Sequence, residues 1–248
     1  MATPKDKPSI LLFYPVYNDE GTVRRVTEKS LAVLAKVASD YEVVIVNDGS
    51  PDKSGEVADQ LAKEYPKVSV IHHPKNRGYG AALQSGFNHS RKYDWICFTD
   101  GDDQYDVNEL EHMATLLHRY DMLITFRYDK IYGSWRLFVS WFYNVCLRFL
   151  FRSPFRDISC GLKLVRCEVI DHVQVTATSP FVGAEITLKA MLKGYAIGEV
   201  GISTYPRDFG SSSATSWKNI FATIKDMLRV RGEIFANRPR PEIPQPPQ

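Results

Sequence analysis

Five short β-rich runs alternate with amphipathic stretches in the first half of the chain, and the key runs end in clusters of polar residues. The runs are Ile10–Val16, Glu42–Asn47, Val68–His72, Asp94–Thr99 and Asp121–Phe126. Between them, apolar residues recur at helical spacing near Thr22–Val37, Ser54–Glu64, Ala81–Ser90 and Asn108–Arg119. Alternation of this kind requires crossover connections. It predicts an α/β fold with a mostly parallel central sheet and helices on both faces. Such sheets bind ligands in the crevice beyond the carboxyl ends of their strands. The polar clusters fall there: Tyr17-Asn18-Asp19-Glu20, Asp48-Gly49-Ser50 and Asp100-Gly101-Asp102.

Composition narrows the function. At 248 residues the chain can bury a sizeable core. Its formal charge of +2 disfavours a nucleic-acid binder driven by overall basicity, so positive charge must act by local placement. The four cysteines, Cys97, Cys146, Cys160 and Cys167, form no CxxC pair and have no histidines at zinc-ligand spacing. Scattered thiols among apolar neighbours predict buried side chains in a reducing compartment. Met1 to Ser9 is too polar for a signal peptide, and no window holds the ~20 apolar residues that span a bilayer. The expectation is a cytoplasmic protein, or one on the cytoplasmic face of a membrane.

The acidic loop Asp100-Gly101-Asp102-Asp103-Gln104 follows its strand directly. Carboxylates beside a diphosphate repel it unless a divalent cation neutralises both, and such a cation also stabilises a departing diphosphate. Continued extended geometry would point Asp100 and Asp102 the same way, and Gln104 could add a neutral oxygen for a hard cation. The plainer alternative is an acidic turn capping the helix that starts near Val107. Other phosphate motifs fail. Gly78-Tyr79-Gly80-Ala81-Ala82-Leu83 lacks the third glycine of the dinucleotide fingerprint, and no GxxxxGK[ST] occurs. Asp48 to Asp59 has Lys53 where a calcium loop requires glycine.

Taken in order, several segments resemble glycosyltransferase family 2, of GT-A fold, and within it the polyprenyl-phosphate glycosyltransferases related to dolichol-phosphate mannose synthase. They are Pro15-Val16-Tyr17-Asn18-Asp19-Glu20 (PxYNE), Val46-Asn47-Asp48-Gly49-Ser50 (VDDGS), Asn76-Arg77-Gly78-Tyr79-Gly80-Ala81-Ala82 (NxGxGxA) and Asp100-x-Asp102-x-Gln104 (DxDxQ). Phe126-Arg127-Tyr128, Asp157-Ile158-Ser159-Cys160-Gly161 and Arg207-Asp208-Phe209-Gly210-Ser211 continue the series, which covers roughly residues 9–235. The resemblance implies that Pro15, Tyr17, Asp19, Asp48, Arg77 and Gly80 contact the nucleotide. It implies Asp100, Asp102 and Gln104 as ligands of Mg²⁺ or Mn²⁺, with Asp102, Arg127 and Arg207 as the catalytic set. Arg127, Arg207 and Ser211 would meet phosphates. Asp19 stands where the family has Glu, and Asn47 where it has the first Asp of DDGS, so the base stays unassigned. Each residue also has a local alternative: Asp48 a turn, Gly78 and Gly80 an entry into the next helix, the two arginines salt bridges, and Glu185 a loop anchor.

From about Tyr128 the pattern changes. Ser134–Arg152 reads as an aromatic helix with polar residues at every fourth position: Arg136, Ser140, Asn144, Arg148 and Arg152. Strands at Gly161–Arg166 and Ile197–Tyr205 and a helix around Ala184–Leu192 follow. Trp217–Phe235 places Trp217, Ile220, Phe221, Ile224 and Leu228 on one face, with Lys218, Lys225, Arg229 and Arg231 elsewhere. A helix of the first kind is either a core helix with arginines at its margin or an interfacial one whose rings enter lipid. The second stretch favours the lipid. Relatives of this kind often carry C-terminal transmembrane helices, so peripheral attachment or a small membrane subunit would have to substitute.

The expected organisation is a flexible 1–8, a GT-A catalytic domain over 9–215, an amphipathic membrane-associated helix at 216–237 and a disordered proline-rich tail at 238–248. The catalytic domain divides into a nucleotide-binding half, 9–127, and an acceptor half, 128–215. The expected activity is inverting transfer of a hexose from a nucleoside-diphosphate sugar to a polyprenyl phosphate. Two rivals are a family 2 enzyme acting on a saccharide hydroxyl, and a non-catalytic subunit that binds nucleotide sugar or lipid.

Overall fold

The structure is a computed structural model that describes residues 7–89, 92–128, 134–207 and 216–236. The expected tail 238–248 and Ser211 lie outside the described residues. Seven strands form one sheet: β1 (Ser9–Val16), β2 (Asp40–Asn47), β3 (Val68–His72), β4 (Trp95–Phe98), β5 (Met122–Arg127), β6 (Lys163–Arg166) and β7 (Ile197–Ile202). Their order is β3-β2-β1-β4-β6-β5-β7. β1 pairs in parallel with β2 and β4, β2 with β3, and β5 with β7, whereas β6 runs antiparallel to both β4 and β5. The sheet is therefore mostly parallel. One continuous sheet holds the strands of residues 9–127 together with β6 and β7.

Alternation along β1 shows how the core is divided. Leu11 and Phe13 face one hydrophobic cluster, while Ile10, Leu12, Tyr14 and Val16 face another across the sheet. The second cluster is covered by α1 (Val23–Val37), α2 (Ser54–Glu64) and α4 (Leu110–Ala114). The first is covered by α3 (Tyr79–His89), α5 (Ser134–Phe151), α6 (Cys167–His172), α7 (Val182–Leu192) and α8 (Trp217–Ala236). The four cysteines are free thiols, three of them buried.

Strand order reverses at β1, where the chain leaves β3 and returns on the other side as β4. The loops after β1 and β4 consequently open into the switch-point crevice. Two local expectations need correction. The helix read over 108–119 is a 3₁₀ turn (Val107–Glu109) followed by the short α4. Residues 100–103 form a turn with Asp103 at φ 55°, so the acidic loop does not continue its strand in extended geometry.

Candidate active site

Asp100 lies at the bottom of the crevice. The Tyr79 hydroxyl, at the start of α3, donates to its Oδ1 at 2.8 Å. On the other side Gly161 lets the chain pass close: a Cβ there would stand 2.6 Å from Asp100 Oδ2. Loss of water and the neighbouring Asp102 push the Asp100 carboxyl up to about 7, against the opposing pull of Tyr79, Arg207 and Arg127. Burial beside Asp100 also raises the Tyr79 hydroxyl well above its ordinary range, which keeps it a donor.

Asp102 and Gln104 are each 7% exposed. Asp102 Oδ1 accepts the Gln104 backbone N–H at 3.2 Å, and its Oδ2 lies 3.2 Å from Arg207 Nη2. The same guanidinium nitrogen is 3.4 Å from Asp19 Oδ1. Arg207 therefore links the loop after β1 to the loop after β4. Its Nε is buried and has no hydrogen-bond partner among the described residues. Asp19 is buried and pushed up to about 6 by desolvation, despite help from the Tyr17 N–H and Arg207. The Gln104 side-chain nitrogen donates to the Tyr205 carbonyl at 3.4 Å, which leaves its oxygen as the atom available to a cation. Asp103 faces the other way, towards Arg25 and Lys29 of α1.

The remaining expected residues divide. Tyr17, 42% exposed, sits at the mouth just past Pro15 and the end of β1. Asp48 is enclosed: its carboxylate accepts the N–H groups of Arg77 and Gly78 at 2.9 and 2.8 Å and pairs with His73 Nδ1 at 2.6 Å. It fixes the glycine turn in place. The Arg77 side chain is exposed, and Gly80 is buried against Thr178, whose carbonyl a Cβ would meet at 2.4 Å. Arg127, 7% exposed, is gripped bidentately by Asp157 at 2.6 and 3.0 Å and touches Ser159 Oγ at 3.2 Å. Its charge also acts on Asp100, favouring the ionised carboxylate there. Glu185 accepts the Thr176 and Ala177 N–H groups, so it anchors a loop.

Three contributors were not singled out by sequence pattern: Tyr79, His73 and Lys163. Lys163 is fully buried in β6 and donates to the carbonyls of Ile158 and Gly183 and to the Thr187 hydroxyl. Burial pushes it down to about 8. It lies under the 157–161 segment that carries the partner of Arg127 and the glycine against Asp100. No motif marks it, because its partners are the Ile158 carbonyl in the preceding loop and two groups of the distant α7.

Two helices leave their aromatic residues outside. On α5, Trp135, Phe138, Trp141, Phe142 and Phe149 are 53–85% exposed, and successive rings of Trp135, Phe138 and Trp141 stand 6.0 Å apart. Its inward face is Asn144, Leu147 and Phe151, with Asn144 donating to the Ser140 carbonyl at 2.9 Å. Part of the polar stripe is thus turned inward. On α8, Trp217, Phe221, Ile224 and Leu228 are exposed while Met227 and Val230 are buried. No helix among the described residues is long and apolar enough to cross a membrane.

The family model described as glycosyl transferase family 2 matches residues 12–173. The polyprenol monophosphomannose synthase of Mycolicibacterium smegmatis is 28% identical over 223 residues, 85% of this chain and 83% of that protein. The dodecaprenyl-phosphate galacturonate synthase of Rhizobium johnstonii is 26% identical over 92% of this chain and 68% of its own length. Among solved structures, the glucosyl-3-phosphoglycerate synthase of Mycobacterium tuberculosis, in complex with Mn²⁺, UDP and phosphoglyceric acid, aligns with a TM-score of 0.70 at 14% identity. The alignment covers 96% of this chain and 82% of that one. That likeness is one of fold, and it bears out the GT-A expectation.

Proposed function

This chain belongs to glycosyl transferase family 2, and on that footing we propose that it moves a hexose, with inversion, from a nucleoside-diphosphate sugar to a polyprenyl phosphate. The observation that carries the reading is the crevice cluster of Asp100, Asp102 and Arg207, two carboxylates and one guanidinium whose buried Nε has no partner among the described residues. The names of the relatives supply the acceptor class.

The donor set fits a divalent cation. Asp100, Asp102 and the Gln104 oxygen are hard ligands, and Asp100 carries an uncompensated burden of desolvation that a cation would relieve. Among the described residues no cluster of three or more His, Cys, Asp or Glu could hold a metal, so the remaining ligands would be diphosphate oxygens and water. Mg²⁺ or Mn²⁺ bound there would neutralise the diphosphate as it departs. The Arg207 guanidinium would meet the same oxygens. Tyr17 and Asp19 line the way in for the nucleotide, and Asp48 with Arg77 and Gly80 holds the turn beside it.

In the transfer, an acceptor phosphate oxygen attacks the anomeric carbon from the face opposite the diphosphate. The bond from that carbon to the diphosphate breaks and its electron pair leaves with the diphosphate. The attacking oxygen is already anionic, so alignment and charge carry the step rather than proton removal. Arg127, anchored on Asp157, adds positive potential beneath Asp100. Arg207 and Ser211, by their place in the chain, serve the phosphates.

The acceptor's lipid suits the outward rings of α5 and α8, whose basic neighbours would meet phosphate headgroups. On this reading the chain acts peripherally on the cytoplasmic face of a membrane, alone or with a small membrane subunit, and residues 9–127 would serve the donor, 128–215 the acceptor and 216–237 the surface. The test uses purified chain, Mg²⁺ or Mn²⁺, a panel of labelled nucleotide sugars and polyprenyl phosphate. A lipid-soluble labelled product supports the reading. Label found only on added oligosaccharide overturns it in favour of a saccharide hydroxyl acceptor.

A further inference from the structure

Four successive backbone N–H groups, those of Thr176 to Ser179, all donate to carboxylates. Glu185 of α7 takes Thr176 and Ala177. Asp226 of α8 takes Thr178 and Ser179 on a single oxygen, Oδ2, at 3.1 Å each. Asp226 is 13% exposed on its side chain. Burial opposes its charge, but Ser179 and Arg229 outweigh that and hold its carboxyl below the ordinary range. The strap so formed lies on the glycine turn at the head of α3. A Cβ at Gly80 would stand 2.4 Å from the Thr178 carbonyl, and Gln84 Nε2 ties the Ala177 carbonyl to α3 at 3.0 Å. Tyr79, beside Gly80, is the residue whose hydroxyl holds Asp100.

A contiguous set of short contacts thus runs from α8 to the bottom of the crevice. Asp226 lies on the same helix as Trp217, Phe221, Ile224 and Leu228, but it faces the protein while they face outward. We infer that Asp226 is a positioning residue for the donor site, through which the outward-facing aromatic helix α8 fixes Tyr79 and Asp100. The inference rests on the crevice being a nucleotide-sugar site. Without the 226 carboxylate, the Thr178 and Ser179 N–H groups lose their shared acceptor and the strap slackens against Gly80. Misplacement then falls on Tyr79 and Asp100, which serve the donor, and spares the acceptor side.

The test compares full-length wild type with Asp226→Ala, Asp226→Asn and, as a surface control, Phe221→Ser. Affinity for Mn²⁺ together with UDP, and with GDP, is titrated by calorimetry, and KM is measured separately for donor and for polyprenyl phosphate. Asp226→Ala should weaken nucleotide binding and raise donor KM about tenfold, with acceptor KM within about twofold. Asp226→Asn keeps an acceptor oxygen for both N–H groups and should restore most of the donor affinity. Phe221→Ser should change only the acceptor side. Unchanged donor affinity in Asp226→Ala overturns the inference. So does a parallel rise of both KM values that follows lost thermal stability and is not rescued by Asp226→Asn. A wild type that binds nucleotide with Mn²⁺ yet yields no lipid product refutes the proposed transfer, while the titration still decides the role of Asp226. A wild type that binds neither nucleotide overturns both.

Discussion

The crevice after β1 and β4 and the outer faces of α5 and α8 depart from the usual partition of residues in opposite directions. In the crevice, carboxylates are buried: Asp19 and Asp102 are both under 10% exposed. On the helices, aromatic rings are in contact with solvent, with Phe149 at 85% and Trp217 at 68%. A soluble fold gains nothing by either. Buried carboxylates of like charge disfavour their own ionisation, and a ladder of exposed rings leaves apolar area in water. Such departures concentrate where a ligand completes the structure. On the proposed function, positive charge and phosphate would complete the crevice, and lipid the helices. The comparison predicts that each region can be disabled without the other.

The largest effect falls on the crevice. Asp102→Ala should lower transfer at least about 1000-fold, since it removes a group acting where charge develops. Its melting temperature should stay close to wild type and vesicle binding should persist. Robust transfer by this variant would remove the site from the mechanism. On the other side, Phe138→Ser, Trp141→Ser and Phe221→Ser together should lower affinity for anionic vesicles by at least about 100-fold, because burying each ring is worth roughly 1.5–3 kcal/mol. Mn²⁺ binding should be unaltered, and co-sedimentation reads the loss. A triple variant that still sediments with vesicles would place the lipid contact elsewhere.

Sequence alone exposed the crevice better than it exposed the helices. The strands were legible because each is a short β-rich run and the loops after β1, β2 and β4 carry polar clusters, so local pattern and global position agree. Asp100, Asp102 and Gln104 were readable for that reason. Tyr79 was not, because its hydroxyl reaches Asp100 through tertiary packing of α3, and Lys163 was not, because its acceptors come from the 158 carbonyl and from α7. The orientation of α5 was ambiguous: its regular polar spacing suggests an outward stripe, yet Asn144 satisfies itself on the Ser140 carbonyl and turns inward. The helix expected over 108–119 stops early where the Thr115 hydroxyl donates to the His112 carbonyl, a local bond that competes with the helix.

A third experiment tests the charge imbalance of the crevice directly. Asp100 at about 7 and Asp19 at about 6 both titrate above the ordinary carboxylate range. The folded chain then holds more protons than the unfolded one between about pH 4 and 7. That contribution to stability is complete at the acid end of the window and is lost as pH rises through it. A divalent cation bound at Asp100 would take the place of the proton there. Mn²⁺ at a hundredfold excess over its Kd at pH 8 should therefore stabilise the chain by about 2.7 kcal/mol there, and should raise the melting temperature less at pH 5.5. Equal Mn²⁺ stabilisation at both values would mean that the cation does not bind at Asp100.

The smallest effect comes from the aspartate next door, and it separates chemistry from architecture within one loop. Asp103 adjoins Asp102 but turns to α1, where Lys29 Nζ lies 3.0 Å from its carboxylate and Arg25 Nε also donates to it. Its φ of 55° aims it away from the crevice. Asparagine tolerates that backbone region and keeps one acceptor for the same donors, so Asp103→Asn removes charge with little change of shape. The arginine and lysine are 43% and 37% exposed on their side chains, and solvent screens much of the lost attraction. A loss of about 1 kcal/mol in a denaturant melt is expected, with kcat within about threefold of wild type and Mn²⁺ affinity unchanged. Were Asp103→Asn as inactive as Asp102→Ala, the cation site would have to include the third carboxylate, and the turn at 100–103 would have to open to admit it.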